Sequence, residues 1–193
     1  MSRKDRRTVR LTGTAILAAL TIVFDYTLKF SGLKIPFPWM PFLKFDFTGI
    51  PIVVSLLLFD VASGATTSLV AALGIIARSG DLIGGAMKGI AEFSTVLGVS
   101  GGLYLSRRVR LGEGLGKGVS LVVGVAVRII VMSVWNLVVL PRFYGVPFNV
   151  VVGMLGLLAV FNGIQGGMTI LLGFLLHEAY ARRTLTSAGG ITG

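Results

Sequence analysis

Six apolar segments follow one another along this chain, and each is a candidate to cross a lipid bilayer. A helix needs about 20 mostly apolar residues to span the hydrocarbon, since each residue advances the chain by about 1.5 Å. The segments lie at about 8–30, 48–60, 62–79, 84–106, 118–140 and 151–180. The second is the shortest, and a count of five spans would fuse it with the third. The pattern predicts an all-α membrane protein that forms a single transmembrane domain over residues 1–193.

Composition supports the membrane class and excludes several functions. The chain has 193 residues, 54% apolar and 13% charged, with a mean hydropathy of +0.88, whereas soluble domains carry about 25% charged residues. It has no cysteine and one histidine, which excludes disulfides, thiolate nucleophiles and cysteine or histidine metal clusters. No nucleotide-binding loop, zinc-protease motif or serine-hydrolase motif occurs. We therefore expect no catalytic residues, no metal and no cofactor, and either a ligand-binding subunit or a small passive channel.

Basic residues are concentrated at three places that flank apolar segments: the first ten residues, the 107–117 stretch and Arg182–Arg183. Cytoplasmic loops carry such an excess, so the net charge of +10 indicates membrane topology and no nucleic-acid partner. The three clusters share one side of the bilayer only when an even number of spans separates each pair. Six spans with both termini in the cytoplasm satisfy this condition, and five do not. The first segment continues to Leu28 without a small-residue cleavage site, so we interpret it as a retained span.

Polar side chains converge on the half of the membrane predicted to face outward. Lys88 and Glu92 lie about one and two turns into the fourth segment, on one helical face, where they could simply pair. Asn136 lies about one turn from the outer end of the fifth segment. Asn162 and Gln165 share a face of the sixth. Three helices are therefore predicted to send polar groups into one region.

The stretch PFLKFDFTGIP, residues 41–51, is predicted to lie above this region with Lys44, Asp46 and the nearby Trp39. Ligand pockets combine apolar walls with a few placed donors and acceptors, and side-chain amides suit a planar heterocycle because each presents both. We interpret the region as a small-molecule pocket and the stretch as its lid. The alternatives are amides that only join helices and a Trp39 that only anchors at the membrane interface. Arg128 lies deeper and is expected to pair with another span.

Three motifs resemble those of a known family. PFLKFDFTGIP resembles a loop of the form FLK-hydrophobic-D-[FI]-[ST]-D-[IL]-P, and NLVVLPRFYG, from Asn136, resembles N-[YF]-x-x-x-x-P-x-[YF]. VFNGIQGG resembles F-N-x-I-K-G. The family is that of the substrate-binding S components of energy-coupling factor (ECF) vitamin transporters, and the likeness is to its riboflavin-binding group. The three matches occur in the family's order and cover the chain from the first span to the last.

The resemblance implies a six-helix subunit in a prokaryotic cell membrane that binds riboflavin, or a related flavin, from outside. It implies a complex with a transmembrane T component and two ATPases, which drive uptake. Asn136 and Asn162 match positions that contact the flavin in the family, and Lys44 and Asp46 match the loop that closes the site. In the first span, Ala15 and Ala19 form a small-xxx-small pair of the kind that lets helices approach closely. The resemblance implies that this pair docks on the T component.

Three residues depart from the family pattern. Gly49 replaces the second aspartate of the loop motif, and Gln165 stands where the family has lysine. Glu92 stands in an Ala-Glu-Phe segment where relatives often have Ala-Asn-Phe. The changes at Gln165 and Glu92 fall in the predicted pocket, so an S component for another small nutrient is the alternative within transport. A structural membrane subunit, whose polar residues only join helices, is the alternative outside it.

Overall fold

We describe the fold from a computed structural model, which describes residues 3–189. All six predicted segments contain a helix, and a short antiparallel hairpin, absent from the all-α prediction, lies between the first two. The elements are α1 (Arg3–Phe30), β1 (Ile35–Phe37), β2 (Met40–Phe45), α2 (Ile50–Leu58), α3 (Val61–Ser79), α4 (Leu82–Arg108), α5 (Glu113–Tyr144) and α6 (Phe148–Gly189).

Five helices of the described chain, α1 and α3–α6, are long and apolar enough to cross a membrane, by length and composition. The exception is α2, whose nine residues advance only about 13 Å, less than half of the hydrocarbon thickness. The second predicted segment, 48–60, is therefore a half-length helix with non-helical chain before it. Asp46 and Thr48 of this non-helical stretch are buried, as are Ile52 and Val53 of α2. The stretch is therefore shielded inside the protein, where irregular backbone is tolerated.

Local sequence signals separate α2 from α3, and the two do not fuse into one helix across Asp60. Pro51 lies in the first turn of α2, a position where its missing N–H costs nothing. Asp60 then caps α3, because its carboxylate accepts a hydrogen bond from the Ser63 N–H at 2.8 Å. One continuous helix across Asp60 is therefore wrong, and the count of six membrane spans stays a prediction.

Ion pairs show how the helices run. Arg10 of α1 pairs with Asp60 at 2.6 Å, and Asp25, further along α1, pairs with Arg78 at the end of α3 at 2.8 Å. Helices α1 and α3 are therefore parallel. At the end of the bundle where α3 begins, which we call the basic end, α4 runs into α5 and Lys117 pairs with Glu178 of α6 at 2.6 Å. Because the basic clusters share this end, the arrangement agrees with an even number of crossings, and its assignment to the cytoplasm stays a prediction.

Glycines bring α4 and α5 into close contact. A Cβ on Gly98 would lie 2.7 Å from the Cα of Gly124, and one on Gly102 would lie 2.5 Å from the Cα of Ser120. Real Cβ atoms do not approach backbone so closely, so both positions need glycine for space. Close approach at small residues is how membrane helices gain packing contacts.

The hairpin folds over the opposite end of the bundle, which we call the hairpin end. Its strands pair Ile35 with Phe45 and Pro36 with Lys44. The side chains of Phe37 and Met40 are buried and pack against Leu158 of α6. The hairpin is thus attached to α6 by apolar contacts and forms a roof over the space between α4, α5 and α6.

Candidate ligand-binding site

A cavity of about 620 Å³ lies beneath the hairpin and between α4, α5 and α6. This volume is in the range of small-molecule pockets, about 300–1,000 Å³. Most of its wall is apolar, contributed by residues that include Phe42, Leu43, Met87, Met132, Leu140 and Leu158. The shape and the apolar wall suit a compact organic ligand.

Six of the residues that the sequence indicates for substrate binding line this cavity: Lys44, Asp46, Lys88, Asn136, Asn162 and Gln165. The other two do not. Trp39 is 67% exposed and packs edge-on against Phe37, with ring centroids 5.1 Å apart. Glu92 is fully buried and lies behind the cavity surface. A role of all eight in ligand binding stays a prediction.

Asp46 connects the hairpin to α4. Its Oδ1 accepts hydrogen bonds from Lys88 Nζ at 2.8 Å and from Thr48 Oγ1 at 2.6 Å, and its Oδ2 is 3.6 Å from Lys34 Nζ. Burial alone would raise the pKa of the Asp46 carboxyl, but the two lysines and the Thr48 hydroxyl outweigh it and hold the pKa well below its usual range. The group is therefore a stable carboxylate at neutral pH.

Gln165 holds the backbone of the same residue. Its Nε2 donates to the Asp46 carbonyl at 2.8 Å, and its Oε1 accepts from the Asp46 N–H at 3.2 Å. The sequence indicated a ligand contact at Gln165. Its amide oxygen and amide nitrogen are both engaged with the lid, and Nε2 is also 3.3 Å from Thr169 Oγ1. The side chain forms part of the cavity wall, and a ligand contact at Gln165 stays a prediction.

The two asparagines present oxygen acceptors to the cavity. Asn136 Nδ2 donates to the Met132 carbonyl at 2.6 Å, and Asn162 Nδ2 donates to the Leu158 carbonyl at 2.9 Å. A carbonyl can only accept, so these bonds fix the orientation of both amides. Asn136 Oδ1 has no hydrogen-bond partner among residues 3–189.

Arg128 also lines the cavity, and sequence reasoning missed it as a site residue. It does pair with another span, as expected: its Nη1 is 3.0 Å from Thr95 Oγ1 and 3.3 Å from Glu92 Oε1. The available signal was helical spacing, because Arg128, Met132 and Asn136 follow each other at i, i+4 and i+8 on one face of α5.

A cluster of three phenylalanines reaches the cavity wall through Phe161. The Phe161 ring lies 5.0 Å from that of Phe45 between centroids, with the rings tilted by 30°, and Phe37 packs against both. The sequence placed Phe161 inside a quoted motif but did not select it. An aromatic wall beside Asn162 favours a flat ring as ligand.

The predicted docking pair lies on the far side of the molecule. Ala15 and Ala19 are both exposed on α1. Ala15 lines a second cleft of about 320 Å³ at the basic end, between α1 and α3, together with Arg10 and Asp60. The pair is therefore accessible to another helix.

Comparison with known proteins finds a likeness among solved structures. No protein-family model matches the chain, and neither does any curated protein. A solved structure of the S component of a bacterial ECF transporter matches with a TM-score of 0.73 at 25% sequence identity, over 92% of this chain and 98% of that chain. The likeness extends over nearly the whole of both. The chain has the fold of an ECF-transporter S component, which is a transport subunit and not an enzyme.

Proposed function

We propose that this chain is the substrate-binding subunit of an ECF-type vitamin uptake transporter and that its ligand is riboflavin. The observation that carries the proposal is the cavity beneath the hairpin. It joins an apolar and aromatic wall to two asparagine side chains and three cations (Lys44, Lys88 and Arg128), on a fold shared with an S component. A flavin is a flat ring system with a polar edge of carbonyl and N–H groups, which is the chemistry that this lining complements.

Different parts of the cavity bind different parts of the flavin. The ring system packs between the Phe161 side and the methionine and leucine side chains of α4 and α5. Its polar edge meets Asn136 and Asn162. The hairpin, held at Asp46, covers the ligand and limits its escape. Riboflavin carries no net charge, so its burial needs hydrogen bonds rather than a counter-charge.

Uptake requires partners, because this chain carries no nucleotide-binding loop. We assign the energy source to two ATPases that act through a T component, with the exposed Ala15 and Ala19 face of α1 as the surface that docks on it. The ligand enters at the hairpin end, and we place that end outside and the basic end in the cytoplasm. The source membrane is a prokaryotic cell membrane.

A second candidate is an S component for another small nutrient. The observation that favours it is the use of the Gln165 amide by the lid, which removes from the ligand a position where the riboflavin-binding group has a lysine. Such a ligand would still be a compact, uncharged ring with carbonyl groups.

Fluorescence titration of the detergent-purified protein separates the two candidates. Riboflavin fluorescence should be quenched and saturate at one ligand per chain, while the charged vitamins thiamine and biotin, added in excess, should not reverse the quenching. Saturable binding of a different neutral ring compound, with no response to riboflavin, would favour the second candidate. No binding of any nutrient would favour a structural subunit.

A further inference from the structure

The inference begins with Glu92, a fully buried carboxylate that does not reach the cavity but lies between two cations that do. Its Oε1 is 2.9 Å from Lys88 Nζ and 3.3 Å from Arg128 Nη1. Removing one member of such a buried set would leave an uncompensated charge, which is strongly unfavourable. Glu92 therefore fixes the positions of the Lys88 and Arg128 side chains.

Gly49 makes room for this carboxylate. A Cβ on Gly49 would lie 2.6 Å from Glu92 Oε2 and 2.7 Å from Thr169 Cγ2. The backbone of Gly49 has φ −73° and ψ −20°, values open to any residue, so the requirement for glycine is one of space. The two departures from the family motif, at Gly49 and Glu92, are thus related: the Glu92 carboxylate lies where a side chain on residue 49 would be.

The two cations beside Glu92 already have carboxylate partners. Lys88 and Arg128 are each within 3.3 Å of a carboxylate oxygen of Glu92, and Lys88 also contacts Asp46, which Lys34 approaches at 3.6 Å. Neither Lys88 nor Arg128 therefore needs an anionic ligand group as a counter-charge. This part of the cavity favours an uncharged ligand group.

Arg128 retains hydrogen-bonding capacity toward the cavity. Its Nε donates to Asn162 Oδ1 at 3.4 Å and its Nη1 to Thr95 Oγ1 at 3.0 Å. We find no hydrogen bond from Nη2 to any residue of the described chain. A guanidinium has five N–H donors and no acceptor, so the available group suits a carbonyl oxygen. Asn136 Oδ1, two turns along the same face of α5, suits an N–H.

From this geometry we infer that Arg128 is a ligand-contacting residue, which donates to a ring carbonyl of an uncharged heterocycle, and that Glu92 is its positioning residue. Glu92 acts through Arg128 and Lys88 without touching the ligand, and Gly49 is the small residue that this arrangement requires. The inference rests on the proposed function of the cavity and names the protein groups that hydrogen-bond to the polar edge of the ligand.

The test compares riboflavin with two thiocarbonyl analogues, each with sulfur, a weaker acceptor, in place of one ring carbonyl oxygen. We expect the wild-type protein to bind one analogue about tenfold more weakly, since a hydrogen bond from a charged donor is lost. The double variant Glu92→Gln/Arg128→Gln removes both charges together and should fold. It should bind riboflavin about tenfold more weakly and should no longer distinguish that analogue. Arg142→Gln, an exposed arginine later on α5, is the matched control and should behave as the wild type.

Two further variants address the positioning role. Arg128→Lys keeps the charge and a folded bundle but lacks the planar fork, so it should also lose the discrimination. Gly49→Ala keeps every polar group and should weaken riboflavin binding by displacing Glu92. Equal discrimination by the wild type and both Arg128 variants would overturn the assignment of Arg128 while riboflavin binding itself stood. A wild type that binds no riboflavin would overturn the proposed ligand, and the inference with it.

Discussion

The Gln165 side chain holds the Asp46 backbone at both its N–H and its carbonyl, with donor–acceptor distances of 3.2 and 2.8 Å. One amide of α6 therefore takes the place of a neighbouring strand at the base of the hairpin. The Asp46 carboxylate is held separately, by Lys88 of α4. Asp46 thus links the lid to two helices, in addition to the apolar contacts of the hairpin with α6.

Gln165→Ala should loosen the lid, because it removes the amide that holds the Asp46 backbone. Each of the two lost hydrogen bonds contributes about 1 kcal/mol, so we expect riboflavin to dissociate about ten times faster or more, with a smaller change in the association rate. Stopped-flow fluorescence of bound riboflavin measures both rates. Asn149→Ala, at an exposed position in the first turn of α6, is the control. An unchanged dissociation rate would show that the amide does not retain the lid.

Asn162→Leu should abolish riboflavin binding and leave the fold intact. The amide N–H that it removes bonds only to the Leu158 carbonyl of its own helix, whereas its oxygen faces the cavity beside Arg128. Titration gives the affinity, and thermal unfolding without ligand gives the stability. Asn149→Leu makes the same change at an exposed site of α6 and should bind normally. Wild-type affinity in Asn162→Leu would remove this residue from the site.

The contribution of Asp46 to riboflavin binding should be independent of pH from about 5 to 8. The folded protein holds the pKa of Asp46 below the unfolded value of about 3.9. A depressed pKa contributes stability that is complete above the unfolded value and is lost as pH falls through the folded one. Loss of the lid should therefore begin only below about pH 4, and Asp46→Asn should weaken binding equally at pH 5 and pH 8. A midpoint for binding near pH 6 would contradict this assignment.

Tryptophan at Ala15 and Ala19 should separate binding from transport. Both alanines are exposed on α1, far from the cavity, so riboflavin affinity should not change. Assembly with the T component and ATPases should fail, because the helices could no longer approach closely. Co-purification of the complex and riboflavin uptake measure the effect. Ile16→Trp, at a 63% exposed position on α1, is the control, and normal assembly of the double variant would place docking elsewhere.

Gly98→Ala should destabilise the bundle by about 1–3 kcal/mol, as overpacking does. Its Cβ would meet the Cα of Gly124 at 2.7 Å, whereas a Cβ on Gly101 would meet nothing within 4 Å. Gly101→Ala is therefore the matched change on the same helix and should be neutral or slightly stabilising. Denaturation in detergent compares the two. Equal stability of both variants would mean that α4 and α5 do not approach as closely as described.

The helices could be predicted from the sequence because their signals are local. Apolar length marked the long helices. It did not reveal the nine-residue length of α2, because the second segment was assigned as a span. The convergence of Lys88, Asn136 and Asn162 was also predictable, since membrane topology and helical rise place side chains in depth. The hairpin was less predictable, because the stretch from Ile35 to Phe45 contains prolines and shows no clear alternation of apolar and polar residues.

Other features depend on contacts between residues far apart in the chain. Gln165 and Asp46 are 119 positions apart, and a glutamine that binds a ligand looks the same in sequence as one that binds a lid. Gly49 was uninterpretable alone, because its reason is the carboxylate of Glu92 on another helix. The sequence predicted that Arg128 pairs with another span, and it pairs with Glu92. The same side chain also lines the cavity, which the sequence analysis did not predict.

The most direct measurement is the absorbance spectrum of the detergent-purified protein, followed by titration with riboflavin. We predict flavin bands that co-elute with the protein and are released on denaturation, and saturable quenching of added riboflavin after any bound flavin is removed. A colourless protein that also fails to quench riboflavin fluorescence would contradict the account of the ligand and leave only the S-component fold.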